Sequence, residues 1–289
     1  MDSGRARLTF LGTGTSQGIP MIGCHCSVCV SDDPRDKRLR SSALVEYGGL
    51  SILVDAGPDF RVQMLRAGVS HLDAILLTHN HKDHTGGMDD TRSFNLVEHR
   101  PVNIFCEKYV LESLKREYAY AFAEPRYPGA PEWNVHVIDG NRPFAVSSNA
   151  CDELLVWESG RGYRRCSPDS SCSPHPVEII PIRGWHHKQK MLSVLGYRFG
   201  NVAYLTDMNN IDDSEIGKLK GVEYVTINCV RRTPHFSHFS LEEALGFFRK
   251  VGARESYITH ISHLLPVHAD FERELPAGVH VAYDGLVLE

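Results

Sequence analysis

Four side chains of the kind that bind metal ions lie within six residues of one another, at His79, His81, Asp83 and His84. They follow a short apolar run at residues 73–78, which predicts a strand. Neutral imidazoles bind Zn²⁺, and a carboxylate adds a charge that also suits harder ions such as Mn²⁺. Because the four ligands sit on a loop that leaves a strand, they can point at two adjacent metal ions. A polar turn with incidental histidines is the alternative, and the density of the motif argues against it.

Three cysteines form a second cluster, with the spacing C-x-C-x-x-C at Cys24, Cys26 and Cys29. Three thiolates can close on one tetrahedral ion, and a structural zinc site then needs a fourth ligand from elsewhere in the chain. A disulfide would leave one thiol unpaired, and none of the three has an obvious neighbouring base that would make it a reactive nucleophile. The cluster therefore predicts a structural zinc ion.

The other histidines are also grouped rather than scattered. Nine of the 16 histidines lie in four short windows: the first motif, His186 with His187, His235 with His238, and His260 with His263. Histidines chosen for packing have no reason to recur in this way. These windows supply the remaining candidates for metal binding and proton transfer.

The elements that must position these residues are mostly strands. Alternating or apolar runs predict strands at residues 7–11, 42–47, 50–55, 177–182, 195–199, 202–206, 224–229, 257–259 and 279–282. Helical spacing predicts a helix over residues 107–120, and Ser240 with Glu243 predicts a capped helix that ends at Gly252. The glycines at 12, 14 and 18 lack the spacing of a nucleotide-binding loop and predict only a tight turn near the metal ions. The class is α/β or α+β.

Composition limits the remaining possibilities. Of the 289 residues 42% are apolar and 23% are charged, as in a globular protein with a large core. The 31 basic and 36 acidic residues give a net charge of −5, which argues against a broad electrostatic grip on nucleic acid. No apolar run approaches membrane-spanning length and no secretory signal follows the first methionine, so we expect a cytoplasmic protein. Candidate ligands flank a weakly patterned stretch at residues 140–176, so we expect one domain over residues 1–289 with a loop insertion there.

The first motif matches the H-x-H-x-D-H signature of the metallo-β-lactamase superfamily, and other segments resemble that superfamily in the same order. Residues 53–57, Leu-Val-Asp-Ala-Gly, are similar to its strand-ending Asp-x-Gly, and residues 203–207 resemble the strand that delivers a metal-bridging aspartate. The resemblance implies a four-layer αββα sandwich with a dinuclear site between the sheet edges. It assigns His79, His81 and a histidine of the middle window to one metal, Asp83, His84 and His260 to the other, and Asp207 as the bridge.

The middle ligand is either His186 or His187. The strand-then-histidine pattern of the superfamily matches at His186 when it is read from the left. Read back from residue 196, the usual spacing of the superfamily is about three residues too short to reach His186, as if residues 189–191 were inserted in this chain. We favour His186, and we expect Asp55 to orient a ligand rather than bind metal.

The glycine turn followed by the cysteine cluster resembles the phosphoribosyl cyclic phosphodiesterases of phosphonate breakdown. In that family the fourth zinc ligand is the second histidine of a Thr-His-Ile-Ser-His segment, which corresponds to His263 here. The resemblance also implies that His238 contacts the scissile phosphate and protonates the leaving oxygen, although a hydrogen bond at the following helix is an alternative role. Asp83 is expected to be catalytic as well as a ligand. His235 and Arg232 are candidates for binding substrate, while Arg231 and Arg232 could equally form a surface pair.

The resemblance implies a metal-dependent hydrolase that opens a small cyclic phosphodiester, such as 5-phosphoribosyl 1,2-cyclic phosphate, with a metal-bridging hydroxide. The expected cofactors are two divalent catalytic ions, zinc or manganese, and one structural zinc. The alternatives are an RNA endonuclease or a thioesterase of the same fold, and a non-hydrolytic protein of cofactor biosynthesis. The expected binding partner is a small phosphodiester substrate. Binding to a membrane or to nucleic acid is not expected, and the sequence leaves open whether the protein forms a homodimer.

Overall fold

Two mixed β-sheets organise the computed structural model, which describes residues 5–148 and 176–289 and the backbone of one hairpin between them. The strands are β1 (Arg7–Gly12), β2 (Ser42–Tyr47), β3 (Leu50–Val54), β4 (Ala74–Leu76), β5 (Val102–Cys106), β6 (Trp133–Val137), β7 (Phe144–Val146), β8 (Leu154–Glu158), β9 (Gly162–Cys166), β10 (Val177–Trp185), β11 (Ser193–Phe199), β12 (Val202–Tyr204), β13 (Asn210–Ile211), β14 (Tyr224–Asn228), β15 (Glu255–Thr259), β16 (Val279–Val281) and β17 (Val287–Leu288).

The first sheet has the strand order β17-β1-β2-β3-β4-β5-β6, and the second has the order β13-β10-β11-β12-β14-β15-β16 with β7 paired to β10. Strands β8 and β9 form a separate antiparallel hairpin. The helices are α1 (Phe60–Ala67), α2 (Lys82–Thr85), α3 (Arg92–Glu98), α4 (Lys108–Glu117), α5 (Asp213–Gly217), α6 (Leu241–Val251) and α7 (His268–Glu274). None of the helices in the described ranges is long and apolar enough to cross a membrane.

Side-chain alternation places the sheets face to face. In β3, Ile52 and Val54 join the core between the sheets, while Leu53 packs with α1 and α4 on the other side. In β12, Tyr204 points into the core between the sheets and Ala203 packs with α6 and α7. Successive strand residues face opposite sides, so each sheet is buried on both faces. The result is the predicted four-layer αββα sandwich, which is confirmed.

This topology gathers the carboxyl ends of strands from both sheets. Strands β3, β4, β5 and β6 are mutually parallel in the first sheet, and β12, β14, β15 and β16 are parallel in the second. Parallel neighbours end at the same edge of their sheet. The loops that carry the candidate ligands leave β4, β10, β12 and β15 at their carboxyl ends.

The strands that the sequence predicts and the capped helix lie close to their predicted bounds. Helix α6 has the Ser240–Glu243 capping box, and Gly252 follows it with a left-handed φ of 67°. The predicted helix at 107–120 is too long, because α4 ends at Glu117 and Tyr118 leaves helical geometry before a 3₁₀ turn at Ala119–Ala121. Much of the predicted insertion at 140–176 lies outside the described residues, but its first part includes β7, which pairs with β10.

Candidate metal centre

Three residues of the centre have a backbone conformation that side chains rarely adopt. Asp55, Asp207 and His260 have φ angles of 65°, 59° and 51°, and they follow β3, β12 and β15. A left-handed φ in a residue other than glycine carries strain, and such residues persist where the surrounding structure requires them. Here the sharp turn after each strand directs a carboxylate or an imidazole toward the space between the sheets.

Gly57 explains why the segment after β3 needs a glycine. A Cβ atom at this position would lie 2.0 Å from the backbone oxygen of Asp83. The neighbouring amide of Ala56 donates to the backbone oxygen of His84 over 2.9 Å. The turn after β3 therefore packs directly on the short helix α2 and fixes the position of both ligand residues in it.

Asp83, His84, Asp207 and His260 form one compact group, with their ligand atoms all within 4.8 Å of one another. The Nε2 atom of His84 lies 3.1 Å from Oδ2 of Asp207 and 3.3 Å from Oδ2 of Asp83. The Nε2 atom of His260 lies 3.1 Å from Oδ1 of Asp207. Two imidazoles and two carboxylates at this spacing are a suitable ligand set for a divalent ion.

A second group shares Asp207 with the first. His186, Asp207 and His238 also have ligand atoms within 4.8 Å of one another. The ring of His81 lies 4.8 Å from that of His186 and 4.5 Å from that of His79, measured between centroids. Asp207 thus lies between two clusters of imidazoles, as a bridging carboxylate must.

Four histidines are held so that Nε2 points away from their hydrogen-bond partners. Nδ1 of His84 donates to Oδ2 of Asp55 over 2.6 Å, and Nδ1 of His186 donates to the backbone oxygen of Asp207 over 2.7 Å. The other two contacts join Nδ1 of His79 to the Thr78 hydroxyl at 2.9 Å and Nδ1 of His260 to the Ser41 hydroxyl at 3.0 Å. A partner at Nδ1 fixes the tautomer and leaves Nε2 to bind a metal ion.

Unpartnered nitrogen atoms show that the cluster fits metal ions. Within the described ranges, Nε2 of His79 and Nδ1 of His238 are buried and have no hydrogen-bond partner. A buried polar atom without a partner is costly, and most such atoms are satisfied in native proteins. Divalent ions would satisfy these atoms.

Burial and charge act against each other in this cluster. Burial alone would raise the pKa of Asp207, but His260 and His84 hold it well below its ordinary value. Burial alone would lower the pKa of His84, but the carboxylates of Asp207, Asp83 and Asp55 raise it well above its ordinary value. The same carboxylate charge that acts on His84 would be compensated by a divalent ion bound in this cluster.

The structure separates the two histidines of the middle window. His186 is 5% exposed and faces the cluster, whereas His187 is partly exposed and stacks on the Phe236 ring at a centroid distance of 5.7 Å. Strand β10 continues to Trp185, so the extra residues form a turn after the ligand and not before it. This geometry favours His186 as the ligand.

Of the proposed catalytic and substrate-binding residues, Asp83 and His238 belong to the cluster, His235 contacts it through His238, and Arg232 does not reach it. Burial lowers the pKa of His238 well below its ordinary value. His235 lies 5.3 Å from His238 between ring centroids, and burial lowers its pKa too. The guanidinium of Arg232 instead pairs with Glu274 at the surface.

The three clustered cysteines lie beside His263, with all four ligand atoms within 4.8 Å of one another. Nδ1 of His263 is 3.2 Å from Sγ of Cys24 and 3.4 Å from Sγ of Cys26. A hydrogen bond from the backbone of Cys29 lowers the pKa of the Cys26 thiol to about 6, which favours the thiolate that binds zinc. The arrangement has the composition and count of a closed structural zinc site.

Ser41 and Phe236 belong to the site and were not singled out in the sequence. Ser41 is a single hydroxyl outside every motif, and it meets His260 only because β2 and the end of β15 come together in the fold. Phe236 lies between His235 and His238, so the His-Phe-Ser-His segment is the signal in the sequence that could identify it.

Comparisons with known proteins agree with this geometry. The sequence profile of the beta-lactamase superfamily domain matches residues 51–261. The protein in a crystal structure of "a new diphosphatase from the PhnP family" is 36% identical in sequence to this chain. The structural alignment covers 99% of this chain and 98% of that protein's chain, with a TM-score of 0.79. The segment at residues 51–261 that matches the family profile includes the first histidine motif, Asp207 and His260, but not the cysteine cluster or His263.

Two further relatives are named for activities other than that of a diphosphatase. An octanoyltransferase of Porphyromonas gingivalis is 38% identical over 97% of this chain and 51% of its own length. The chain therefore spans about half the length of this relative. A ribonuclease Z of Agathobacter rectalis is 22% identical over 89% of this chain and 94% of its own length.

Proposed function

We propose that the chain, which belongs to the metallo-β-lactamase superfamily, is a hydrolase that opens small cyclic phosphodiesters such as 5-phosphoribosyl 1,2-cyclic phosphate. The observation that carries the proposal is Asp207, whose two carboxylate oxygens face His84 and His260 while the same carboxylate belongs to the His186–His238 group. This is the arrangement expected of a carboxylate between two metal ions.

The residues that would hold two divalent ions, zinc or manganese, are the predicted set: His79, His81, Asp83, His84, His186, Asp207 and His260. Two ions held there would supply an activated water and a Lewis acid for the phosphoryl group. Asp55, Thr78 and Ser41 keep the imidazoles oriented, so that little rearrangement is needed when substrate arrives.

His238 is the residue of this chain that would act on the leaving oxygen. It lies over the same cluster, with Nδ1 3.8 Å from Oδ1 of Asp207 and without a hydrogen-bond partner. Because burial keeps its imidazole neutral, it can donate one hydrogen bond to a phosphoryl or leaving oxygen and accept another. His235 lies next to His238 and would contact the substrate. Arg232 could bind substrate only if its ion pair with Glu274 were broken.

Cys24, Cys26, Cys29 and His263 would hold one structural zinc in the same proposal. His263 follows the candidate ligand His260 by three residues. A zinc ion there would attach the N-terminal loop to the segment that carries a catalytic ligand.

Ribonuclease activity is the second candidate, because the Agathobacter relative carries that name and aligns along nearly its whole length. The net charge of −5 does not favour a large RNA partner. Octanoyl transfer is not proposed, because the protein of that name is about twice as long as the part that aligns.

The test is turnover by protein loaded with Zn²⁺ or Mn²⁺ and checked for metal content. The substrates are bis(p-nitrophenyl) phosphate, a ribose 1,2-cyclic phosphate and a precursor transfer RNA. We expect hydrolysis of the first two, and its loss in Asp207→Ala. Cleavage of the RNA alone would favour the nuclease, and no turnover of any phosphodiester by fully loaded protein would refute the proposal.

A further inference from the structure

An asparagine side chain attaches the loop that carries His238 to the segment that follows β12. Nδ2 of Asn209 donates to the backbone oxygen of His238 over 2.7 Å and to that of His235 over 3.1 Å. Asn209 is 3% exposed, and its own backbone N–H donates to the backbone oxygen of Trp185 over 2.8 Å. The carboxamide is therefore fixed inside the protein, where both of its N–H groups hold the loop.

The peptide bond after His238 is held on both sides. Its oxygen accepts from Asn209, and its N–H, which belongs to Phe239, donates to the backbone oxygen of Met208 over 3.1 Å. Met208 is itself held, because its N–H donates to Oδ1 of Asn228 and its oxygen accepts from Nδ2 of the same side chain. Since a peptide group is planar, bonds on its two sides fix its orientation, and with it the direction of the His238 side chain.

Other hydrogen bonds of this loop join its parts to one another. The Arg231 guanidinium donates to two backbone oxygens two and three residues further along the chain, and the N–H of Ser237 donates to Nδ1 of His235 over 3.2 Å. Such bonds shape the loop but do not place it against the metal centre. The hydrogen bonds of Asn209 do place it, because this residue follows Asp207 by two positions.

We propose that Asn209 is a positioning residue, which holds the His238 imidazole over the cluster so that it can act on the leaving oxygen. The inference rests on the proposed phosphodiesterase function. The imidazole lies 4.7 Å from the His186 ring and 5.0 Å from the His260 ring between centroids. Because Asp207 and Asn209 belong to one turn, the shared metal ligand and the group that assists the leaving oxygen keep a constant spacing. A misplacement of about 1 Å in such a site can cost about 100-fold in rate.

The experiment measures kcat for three methyl aryl phosphates whose leaving phenols carry a p-nitro group, a p-chloro group or no substituent, with the Zn²⁺-loaded chain. A donor to the leaving oxygen matters most when the leaving group is poor. We therefore expect Asn209→Ala to lower kcat about tenfold for methyl phenyl phosphate and much less for methyl p-nitrophenyl phosphate. His238→Ala should show the same order with a larger loss.

The matched control is Asn95→Ala. The Asn95 side chain also donates to two backbone oxygens, but it lies on α3. This variant should keep the wild-type kcat for all three esters.

A double variant tests whether Asn209 acts through His238. If it does, Asn209→Ala should cost nothing further once His238 is replaced by alanine, because residues that act as a unit are not additive. Asn209→Ser, which keeps one hydroxyl donor, should lose less than Asn209→Ala and takes its place if the alanine variant does not fold. An equal loss for all three leaving groups, or an additive loss in the double variant, would overturn the positioning role.

A spectroscopic measurement separates this inference from the proposed function. In the Zn²⁺-loaded chain labelled with ¹⁵N-histidine, the ring signals of His238 are identified by their absence in His238→Ala. They should shift in Asn209→Ala and stay in place in Asn95→Ala. If the loaded wild-type chain hydrolyses none of the three esters but the signals still shift, the phosphodiesterase proposal fails and the positioning role stands. Unshifted signals in Asn209→Ala would refute the positioning role.

Discussion

A single hydroxyl fixes which nitrogen of His260 faces the metal centre. Oγ of Ser41 lies 3.0 Å from the backbone oxygen of Gly14 and 3.0 Å from Nδ1 of His260. The carbonyl oxygen can only accept, so the hydroxyl donates to Gly14 and accepts from Nδ1–H. Nε2 of His260 therefore carries a lone pair and faces Asp207. Ser41 is a positioning residue, because it fixes the tautomer of this imidazole.

Replacing Ser41 by Ala should weaken metal binding without unfolding the chain. The imidazole would lose the partner that holds its tautomer, and loss of such a partner typically costs about 10–100-fold in metal affinity or activity. The check is a competition titration of Zn²⁺ with a chromogenic chelator. Thr91→Val removes another buried hydroxyl, bonded to Met88 and Trp133 at the start of α3, and is the control. Equal metal affinity in Ser41→Ala and Thr91→Val would refute the positioning role.

At the scale of elements, the N-terminal loop and the end of β15 are joined in two ways. The backbone of Gly14 forms a bridge with Ile261, and His263 lies among the three clustered cysteines. His260 directly precedes Ile261, and His263 follows it by three residues. The proposed zinc site and the catalytic centre thus share one short segment of chain.

Cys26→Ser should lower the bound zinc by about one equivalent and leave the catalytic ions in place. A serine hydroxyl is a poor substitute for a thiolate, and a closed site needs its four ligands. Metal analysis of purified protein measures the effect. Cys106→Ala, which removes a buried cysteine outside both clusters, should keep the full metal content. Unchanged stoichiometry in Cys26→Ser would exclude the structural zinc.

A histidine also links the loop before β4 to the end of α3. Nε2 of His71 lies 3.1 Å from Asp73 and Nδ1 lies 3.0 Å from Glu98, with Arg100 beside the same carboxylate. The hydrogen bonds to Asp73 and Glu98 raise the pKa of His71 to about 9. A raised pKa means that the protonated form stabilises the folded chain, fully below about pH 6.5, and that this contribution is lost as pH rises through about 9.

We therefore expect the difference in free energy of unfolding between the wild type and His71→Gln to be largest near pH 6 and to shrink by pH 9.5. Because the side chain is 38% exposed and screened by solvent, the difference should not exceed about 1 kcal/mol. Urea titrations across this range measure it, with Glu98→Gln expected to show a smaller version of the same trend. Parallel stability curves for wild type and His71→Gln would contradict the assignment.

The sequence predicts the ligand-bearing strands well because their ligands follow apolar runs directly, as His79 follows β4 and Asp207 follows β12. It does not predict β5, β6 or α1, where periodicity is weak and neighbouring layers decide the structure. It also does not predict Ser41 or the stack of His187 on Phe236, since these contacts join segments distant in the chain. Local patterns thus identify candidate ligands, and the fold determines their partners.

For the whole molecule, the candidate metal centre is where loops of the two sheets meet. His79, Asp83 and His84 follow β4 of the first sheet, whereas His186, Asp207 and His260 follow strands of the second. Carboxylates and imidazoles face one another across this junction, where Nε2 of His79 and Nδ1 of His238 are buried without a hydrogen-bond partner. Ions bound there would cross-link the sheets, so metal binding should stabilise the entire fold.

Adding Zn²⁺ at about 100 times its dissociation constant should stabilise the wild-type chain by about 2.7 kcal/mol per catalytic ion, provided that the unfolded chain does not bind it. For a chain of this size that corresponds to a rise in Tm of several degrees. Asp207→Asn keeps the shape of the shared ligand but removes its charge, so most of the rise should be lost. Asp89→Asn, which changes a partly exposed carboxylate on the 3₁₀ turn at Met88–Thr91, is the control and should keep the full rise. A full zinc-dependent rise in Asp207→Asn would show that the two sheets are not joined through this carboxylate.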